Sequence, residues 1–162
     1  RNPLGLQKRV CEISGWKPAP ARLASLNSCN PASPSWRPSA GTGGIADHMP
    51  KTVTTCVEIS PLHCKVLEAK GHNVVQADFL KWESAYRFDR IVMNPPYSEG
   101  RWQAHLEHAA GMLADDGRLV AILPASAKNR DVLPGWSLEW SRVFDNEFAG
   151  ASVSVVILAA TR

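Results

Sequence analysis

From residue 52 onwards, short apolar runs rich in β-branched residues alternate with longer segments of helical character. Three of these runs are expected to be strands, near residues 53–57, 73–77 and 90–93. Between the first two, Ser60-Pro61 forms a good helix start and Gly71 a good helix stop. Alternation of strands and helices is typical of parallel sheets, because parallel neighbours need a long crossover. The sequence therefore predicts an α/β fold with a mostly parallel central sheet and helices on both faces.

The second half of the chain continues this alternation. Apolar residues recur at helical spacing after residue 100: Trp102, Leu106, Ala109, Ala110 and Leu113. The helix is expected to close at the Asp-Asp-Gly sequence of 115–117, before an apolar strand at 119–123. The small and β-branched residues of 153–160 suit a last, central strand, preceded by a strand or turn at 144–148.

Length and composition predict a single compact domain, since 162 residues with 44% hydrophobic and 20% charged residues are ordinary for a globular protein. The formal net charge of +3 is compatible with a polyanionic partner but is too small for an independent DNA-binding module. The sequence contains no apolar stretch of the roughly 20 residues that a membrane span needs, and its start lacks a continuous apolar signal region. A cytoplasmic protein without a membrane partner is therefore expected.

Neither the cysteines nor the histidines indicate a metal site. The cysteines lie at four positions without paired metal-ligand spacing: Cys11, Cys29, Cys56 and Cys64. Free intracellular thiols are the expectation. His105 and His108 lie at i and i+3 of the predicted helix. Because no third ligand lies near them in sequence, a solvated or packed pair is favoured over a metal site.

A polar residue follows each of the three predicted strands: Glu58, Asp78 and Asn94. The carboxyl ends of parallel strands meet at one edge of a sheet, where open α/β sheets bind ligands. Upstream, residues 38–46 form a glycine-rich loop, in which Gly41, Gly43 and Gly44 allow sharp turns and the close approach of a ligand to the main chain. These segments are therefore expected to share one site.

The order of these features predicts a nucleoside pocket. Glu58 can accept both hydroxyls of a ribose, and Asp78 can accept from an adenine amino group while Phe79 stacks on the ring. The candidate cofactor-binding residues are Ala40, Gly41, Thr42, Gly43, Glu58, Ile59, Asp78, Phe79 and Asn94. Plainer alternatives exist: the loop can be only a turn, Glu58 a charge at a helix start and Phe79 a core residue. Their joint order favours the pocket.

The candidate catalytic residues directly follow the third predicted strand: Asn94, Pro95, Pro96 and Tyr97. The prolines fix φ near −65° and lack backbone donors, so the loop is stiff and its carbonyls face outward. The oxygens of Asn94 and Pro95 can accept hydrogens from a planar amino group, on which Tyr97 can stack. An amino nitrogen of this kind is a poor nucleophile, so its methylation requires such acceptors. The alternative is a Pro-Pro turn that ends a buried strand, with Tyr97 capping the core.

These motifs, in this order, resemble the S-adenosylmethionine-dependent amino-methyltransferases, and specifically the gamma-class adenine DNA methyltransferases. The resemblance runs from about Pro38 to the C-terminus. It implies a Rossmann-like class I methyltransferase fold, S-adenosylmethionine as cofactor, and DNA as partner with the target adenine flipped out of the helix. It further implies that Gly41 and Gly43 line the methionine part of the cofactor and that Glu58 holds the ribose. The Asn-Pro-Pro-Tyr loop would then hold the target base.

Other functions remain open at this point. The same chemistry can act on RNA or on a protein glutamine. The glycine-rich loop followed by Glu58 also fits a dinucleotide fingerprint loosely, which would indicate a nicotinamide oxidoreductase but would leave Asn94 to Tyr97 unexplained. A non-catalytic remnant or a partner-dependent subunit is the alternative of a different class.

Residues 1–37 do not fit this organisation. A cofactor loop is expected to follow a buried apolar strand, but 27–37 is rich in Ser, Asn and Pro and contains no hydrophobic run. The first strand is therefore expected to be missing, and the segment is interpreted as translated in a shifted frame or as a partly disordered arm. Residues 38–162 are then the catalytic domain. They hold no visible target-recognition domain, so a specificity or partner subunit is a further expected partner.

Overall fold

The computed structural model describes residues 3–14, 35–38, 40–145 and 153–162. The α-helices in these ranges are α1 (Pro3–Ile13), α2 (Pro61–Ala69) and α3 (Arg101–Gly111). The strands are β1 (Ser35–Pro38), β2 (Thr54–Glu58), β3 (Asn73–Gln76), β4 (Phe88–Met93), β5 (Leu113–Pro124), β6 (Ser137–Trp140) and β7 (Val155–Thr161). Short 3-10 helices lie at Ala46–His48, Phe79–Lys81, Ser98–Gly100 and Ala125–Asn129. No helix in the described ranges is long and apolar enough to cross a membrane.

The described strands form one seven-stranded sheet in the order β3-β2-β1-β4-β5-β7-β6. Strands β1 to β5 run parallel to one another, whereas β7 is antiparallel to both β5 and β6. Strand order reverses between β1 and β4, because the chain builds the sheet outward in both directions from this pair. At such a point the loops after the two strands diverge and leave a crevice for a ligand.

The three strands expected in the first half of the chain are confirmed as β2, β3 and β4. Helix α2 begins as predicted, with the Ser60 hydroxyl accepting a hydrogen bond from the His63 amide at 3.4 Å. Gly71 follows the helix with a φ of +80°, in the left-handed region that glycine tolerates best. The last predicted strand is confirmed as β7, which lies buried between β5 and β6.

Side chains of β4 alternate between two cores, one on each face of the sheet. Ile91 and Met93 are fully buried under α3, where they pack in one cluster with Leu106. Val92 is buried on the opposite face, in a cluster with Val10 of α1. Successive residues of a strand point to opposite faces, so an uninterrupted apolar strand buries both sides only when helices cover both. The predicted arrangement of helices on both faces is confirmed.

The prediction that the first strand is missing is wrong. Strand β1 lies between β2 and β4, with Trp36 opposite Thr55 on one side and Ile91 on the other. Main-chain hydrogen bonds to two neighbours form a strand without requiring an apolar sequence. Helix α1 also comes from the N-terminal segment and packs on the core. Residues 1–2, 15–34 and 39 lie outside the described residues, so the shifted-frame and disordered-arm interpretations stay hypotheses.

Two further boundaries differ from the prediction. Helix α3 ends at Gly111, and Leu113 begins β5 instead of closing the helix. The register of β4 and β5 shifts between Phe88 and Arg90, so residues 114–117 bulge within β5 instead of forming a separate turn. Strand β6 was not predicted. Of the predicted element at 144–148, Phe144 makes an isolated bridge to Val155, and 146–148 lie outside the described residues.

The packing of β7 gives a prediction for stability. Leu158 is fully buried and lies opposite Ala121 of β5 and Trp140 of β6. Leu158→Ala is expected to lower the free energy of unfolding by about 2–5 kcal/mol, because it removes buried apolar contacts and leaves a cavity. Urea unfolding followed by circular dichroism measures the change. Leu62→Ala is the control, since Leu62 is exposed on α2 and its truncation is expected to change stability by less than about 0.5 kcal/mol. Equal effects of the two variants would contradict the assigned core.

Candidate functional site

A cavity of about 530 Å³ lies at the carboxyl edge of the sheet, among the loops that follow β1, β2 and β4. Its walls are formed by Gly41, Glu58, Ile59, His63, Asn94, Pro95, Pro96, Tyr97, Arg101 and Val153. A cavity of this size is typical of sites for small molecules and cofactors. The structure thus brings the glycine-rich loop, the acid after β2 and the whole Asn-Pro-Pro-Tyr sequence to one place.

The glycine-rich loop turns tightly as it leaves β1. Gly41 and Gly43 have φ values of +54° and +93°. The amide of Ala40 donates to Val57 O at 3.2 Å, which extends the pairing of β1 with β2, and the amide of Gly43 donates back to Ala40 O at 3.1 Å. A Cβ on Gly43 would lie 3.0 Å from a methyl carbon of Leu67. Only glycine therefore fits this turn without strain or displacement.

The carboxylate of Glu58 joins the glycine-rich loop to the start of α2. It is buried at the end of β2, where Oε2 accepts a hydrogen bond from the Gly41 amide at 2.7 Å and Oε1 accepts one from the Ser60 amide at 2.9 Å. The Nδ1 atom of His63 lies 3.7 Å from Oε1. Each carboxylate oxygen has a second lone pair. Glu58 can therefore accept two hydroxyl groups while it keeps its bonds to the backbone.

Three cavity residues were missed by the sequence analysis: His63, Arg101 and Val153. His63 lies one turn after the α2 cap, so its proximity to Glu58 follows once the strand-to-helix turn is known. Arg101 begins α3 and donates to the Ser98 hydroxyl at 2.6 Å. Before it, Glu99 and Gly100 both have left-handed backbone, with φ values of +58° and +68°. The chain thus makes a left-handed turn, uncommon for a residue such as Glu99, directly before Arg101 on the cavity wall.

The Asn-Pro-Pro-Tyr loop is held by a hydrogen bond between its ends. The Tyr97 hydroxyl donates to Asn94 Oδ1 at 2.9 Å and lies 3.4 Å from Ile122 O. The ring of Tyr97 is partly buried against both cores of the sheet. Burial raises the pKa of this hydroxyl, so it remains protonated and able to donate at any ordinary pH. Tyr97 therefore orients the Asn94 amide and also forms part of the cavity wall.

Asp78 and Phe79 are not among the residues that wall the cavity. The Asp78 carboxylate accepts from the Leu80 amide at 3.2 Å and caps the 3-10 helix Phe79–Lys81. Phe79 is 3% exposed, and its ring centroid lies 5.2 Å from that of His105 and 4.8 Å from that of His108. The adenine contacts assigned to Asp78 and Phe79 stay predictions. The exposed apolar side chain of Ile59, which is on the cavity wall, offers a nearer surface for a planar ring.

Among the described residues, no group of three or more His, Cys, Asp or Glu side chains is arranged to hold a metal ion. The Cys11 thiol donates to Ile45 O at 3.7 Å and the Cys64 thiol donates to Glu58 O at 3.4 Å, while Cys29 lies outside the described residues. Burial lowers the pKa of His105, and the imidazole of His108 contacts Trp82 O at 2.9 Å. The two histidines pack around Phe79, as one of the two sequence interpretations predicted.

The sequence matches no described protein family and no curated protein. Similar folds occur among solved structures. The M protein of the type I restriction enzyme EcoKI has a TM-score of 0.76 at 14% identity, over 100% of this chain and 44% of that chain. The 23S rRNA methyltransferase ErmE has a TM-score of 0.68 at 20% identity, over 98% of this chain and 68% of that chain. TrmN from Thermus thermophilus has a TM-score of 0.66 at 20% identity, over 96% of this chain and 48% of that chain.

The chain thus spans about half the length of two of these proteins. Nearly all of its own length is covered in each comparison, and the sheet order found here reverses at the same kind of switch point that defines nucleotide-binding α/β folds. The predicted fold is confirmed. The chain has the Rossmann-like fold of the class I methyltransferases.

Proposed function

We propose that this chain is an S-adenosylmethionine-dependent methyltransferase domain that methylates the exocyclic amino group of adenine in DNA. The observation that carries the proposal is the shared cavity, which has Gly41, Glu58 and Ile59 in one part of its wall and Asn94 to Tyr97 in another. Transfer of a group between two ligands requires that both be held in contact and in line. The similarity in fold to the EcoKI M protein and to ErmE agrees with this function.

The first part of the wall fits S-adenosylmethionine. The turn at Gly41 and Gly43 brings the main chain to the cavity without a Cβ in the way. Glu58 offers the free lone pairs of a buried carboxylate to the two ribose hydroxyls, and Ile59 offers an apolar surface to the adenine ring. When bound, S-adenosylmethionine supplies an electrophilic methyl group.

The second part of the wall fits an amino group attached to an aromatic ring. Asn94 Oδ1 keeps a lone pair after accepting from Tyr97, and Pro95 contributes its carbonyl oxygen. If these oxygens accept the two amino hydrogens, the nitrogen lone pair turns out of conjugation and becomes available for attack. The base must first leave the helical stack, because the nitrogen cannot be reached inside a duplex. The stiff Pro95-Pro96 backbone keeps both acceptors in place before the substrate arrives.

DNA is the proposed acceptor, together with a specificity or partner subunit. Arg101 supports a nucleic acid, because its half-exposed guanidinium on the cavity wall places a positive charge where the phosphate of an extruded nucleotide would lie. RNA is the second candidate, which the similarity in fold to ErmE favours. A protein glutamine as acceptor and a non-catalytic or partner-dependent domain are outcomes that the assays below distinguish.

Removal of the Glu58 carboxylate is expected to weaken S-adenosylmethionine binding at least about tenfold. The reason is the loss of charge-assisted hydrogen bonds to the ribose and of the bond that shapes the loop at Gly41. Calorimetric titration of the wild-type chain and of Glu58→Ala measures the effect. Glu68→Ala is the matched control, since Glu68 is an exposed carboxylate on α2. No saturable binding by folded wild-type protein would contradict the cofactor assignment.

Asn94→Ala is expected to lower methyl transfer by about 10²–10³-fold while leaving S-adenosylmethionine binding nearly unchanged, because it removes an acceptor for the amino hydrogens. Transfer of a labelled methyl group to adenine-containing duplex DNA measures the rate. Normal turnover by this variant would show that the assigned mechanism is wrong.

The same assay with RNA and with a glutamine-containing protein identifies the acceptor. Label in RNA or protein alone would replace DNA in the proposal. Cofactor binding without transfer to any polymer would support the non-catalytic or partner-dependent interpretation.

The hydroxyl and the ring of Tyr97 are expected to contribute separately to methyl transfer. Tyr97→Phe keeps the ring but removes the donor to Asn94 Oδ1, so kcat should fall about tenfold with little change in KM for DNA. Tyr97→Ala should impair both values, because it also removes the stacking surface. Tyr86→Phe is the control, since Tyr86 is largely exposed. A wild-type kcat in Tyr97→Phe would show that the hydroxyl does not contribute and that Tyr97 acts through its ring alone.

A further inference from the structure

Asp47 and two side chains that follow α2, those of Lys70 and His72, form a polar cluster against the glycine-rich loop. Lys70, at the end of α2, donates to Asp47 Oδ2 at 2.7 Å, and His72 Nε2 lies 2.9 Å from Asp47 Oδ1. Lys70 also donates to the main-chain oxygen of Thr42 at 2.7 Å. None of the three side chains is on the cavity wall. The cluster therefore contacts the loop from outside the site that a ligand would occupy.

One peptide unit of the loop is held at both ends, at one of them by Lys70. The carbonyl of Thr42 and the amide of Gly43 belong to the same planar peptide group. The carbonyl accepts from Lys70 Nζ, and the amide donates to Ala40 O at 3.1 Å. The next carbonyl, that of Gly43, accepts from the Asp47 amide at 2.8 Å. Rotation of the 42–43 peptide would break at least two of these bonds, so Lys70 and the main-chain bond to Ala40 O together set its orientation.

The packing at Gly43 leaves no free space between the loop and the cluster. A Cβ added at Gly43 would lie 3.2 Å from Asp47 Oδ1 and 3.4 Å from Lys70 Nζ. The loop thus rests directly on the polar atoms of the cluster, and a shift of those atoms would be transmitted to the backbone of Gly43.

The charges within the cluster favour an ionised Asp47. Burial raises the pKa of this carboxyl, but hydrogen bonds from Lys70 and His72 outweigh it and the pKa is lowered. An ionised carboxylate only accepts, so His72 donates through Nε2. The His72 side chain is fully buried, and no partner for its Nδ1 is found among the described residues.

We propose that Asp47, Lys70 and His72 are positioning residues that hold the glycine-rich loop in the shape that binds the cofactor. The inference rests on the proposed function for the identity of the ligand, S-adenosylmethionine. Its basis in the chain is independent of that ligand, because the bonds to Thr42 O and Asp47 fix the loop in the free protein. Glu58 holds the loop at Gly41 from the cavity side, and the cluster holds it at Thr42 and Gly43 from the outer side.

Lys70→Met removes the donor to Thr42 O and leaves the aliphatic part of the side chain. It is expected to weaken S-adenosylmethionine binding about tenfold in calorimetric titration, since a charge-assisted hydrogen bond no longer orders the loop. The matched control is Lys65→Met, which removes the same charge from an exposed position of α2. Asp47→Asn serves as a second variant and is expected to act in the same direction.

A nitrogen-proton correlation NMR spectrum of each protein without ligand distinguishes a change confined to the glycine-rich loop from a general loss of structure. The amide signals of Thr42 and Gly43 should shift or broaden in Lys70→Met and stay in place in Lys65→Met, while signals from α3 and β5 stay unchanged in both. Thermal unfolding confirms that each variant is folded at the temperature of titration.

Two results would overturn the inference: equal affinities for Lys70→Met and Lys65→Met, or Thr42 and Gly43 signals unaffected by the loss of Lys70. Failure of the proposed function has a different signature. In that case wild-type protein would not bind S-adenosylmethionine, the cofactor part of the inference would fall with it, and the spectra would still decide whether the cluster sets the shape of the loop.

Discussion

The reversal of strand order between β1 and β4 is the constraint on which the rest of the site depends. From this pair the chain extends the sheet through β2 on one side and through β5 on the other, so the loops after β1 and β4 turn away from each other. The hydrogen bond from the Gly41 amide to Glu58 Oε2 then fixes how far the first loop can move, because Glu58 is itself buried at the end of β2. A cavity results that has Gly41 and Glu58 on one side and the stiff proline loop on the other.

The sequence predicted those parts of the site in which a short apolar run determines where the next residue lies. Glu58 ends β2 and Asn94 directly follows β4, and both strands are mostly buried, so the positions of the two residues at the carboxyl edge follow from the pattern alone. Ser60 and Gly71 set the limits of α2 through local backbone chemistry, which does not depend on the rest of the fold. Local rules of this kind transfer directly from sequence to structure.

Other parts of the fold and of the site depend on long-range contacts, which the local sequence pattern does not contain. Strand β1 is formed by pairing with β2 and β4, so a Ser-Trp-Arg-Pro sequence becomes a strand because of its neighbours. Pro38 lacks an amide hydrogen, and the bond from Ala40 to Val57 O continues the pairing beyond it. Phe79 comes shortly after the end of β3, but the 3-10 turn that Asp78 caps directs its ring towards His105 and His108. The face to which a residue turns after a strand is decided by that turn and not by the strand.

The two sides of the cavity are preorganised by different means, and this difference bears on how each can respond to a ligand. The proline loop is stiff because of its covalent structure, with the Tyr97 hydroxyl adding one bond across it. Glycine has the least restricted backbone of all residues. The shape of the glycine-rich loop therefore depends on non-covalent bonds from Glu58 and Lys70. Ordering such a loop before a ligand arrives removes a conformational cost from binding. Polar groups that touch no ligand can thus determine affinity as strongly as those on the cavity wall.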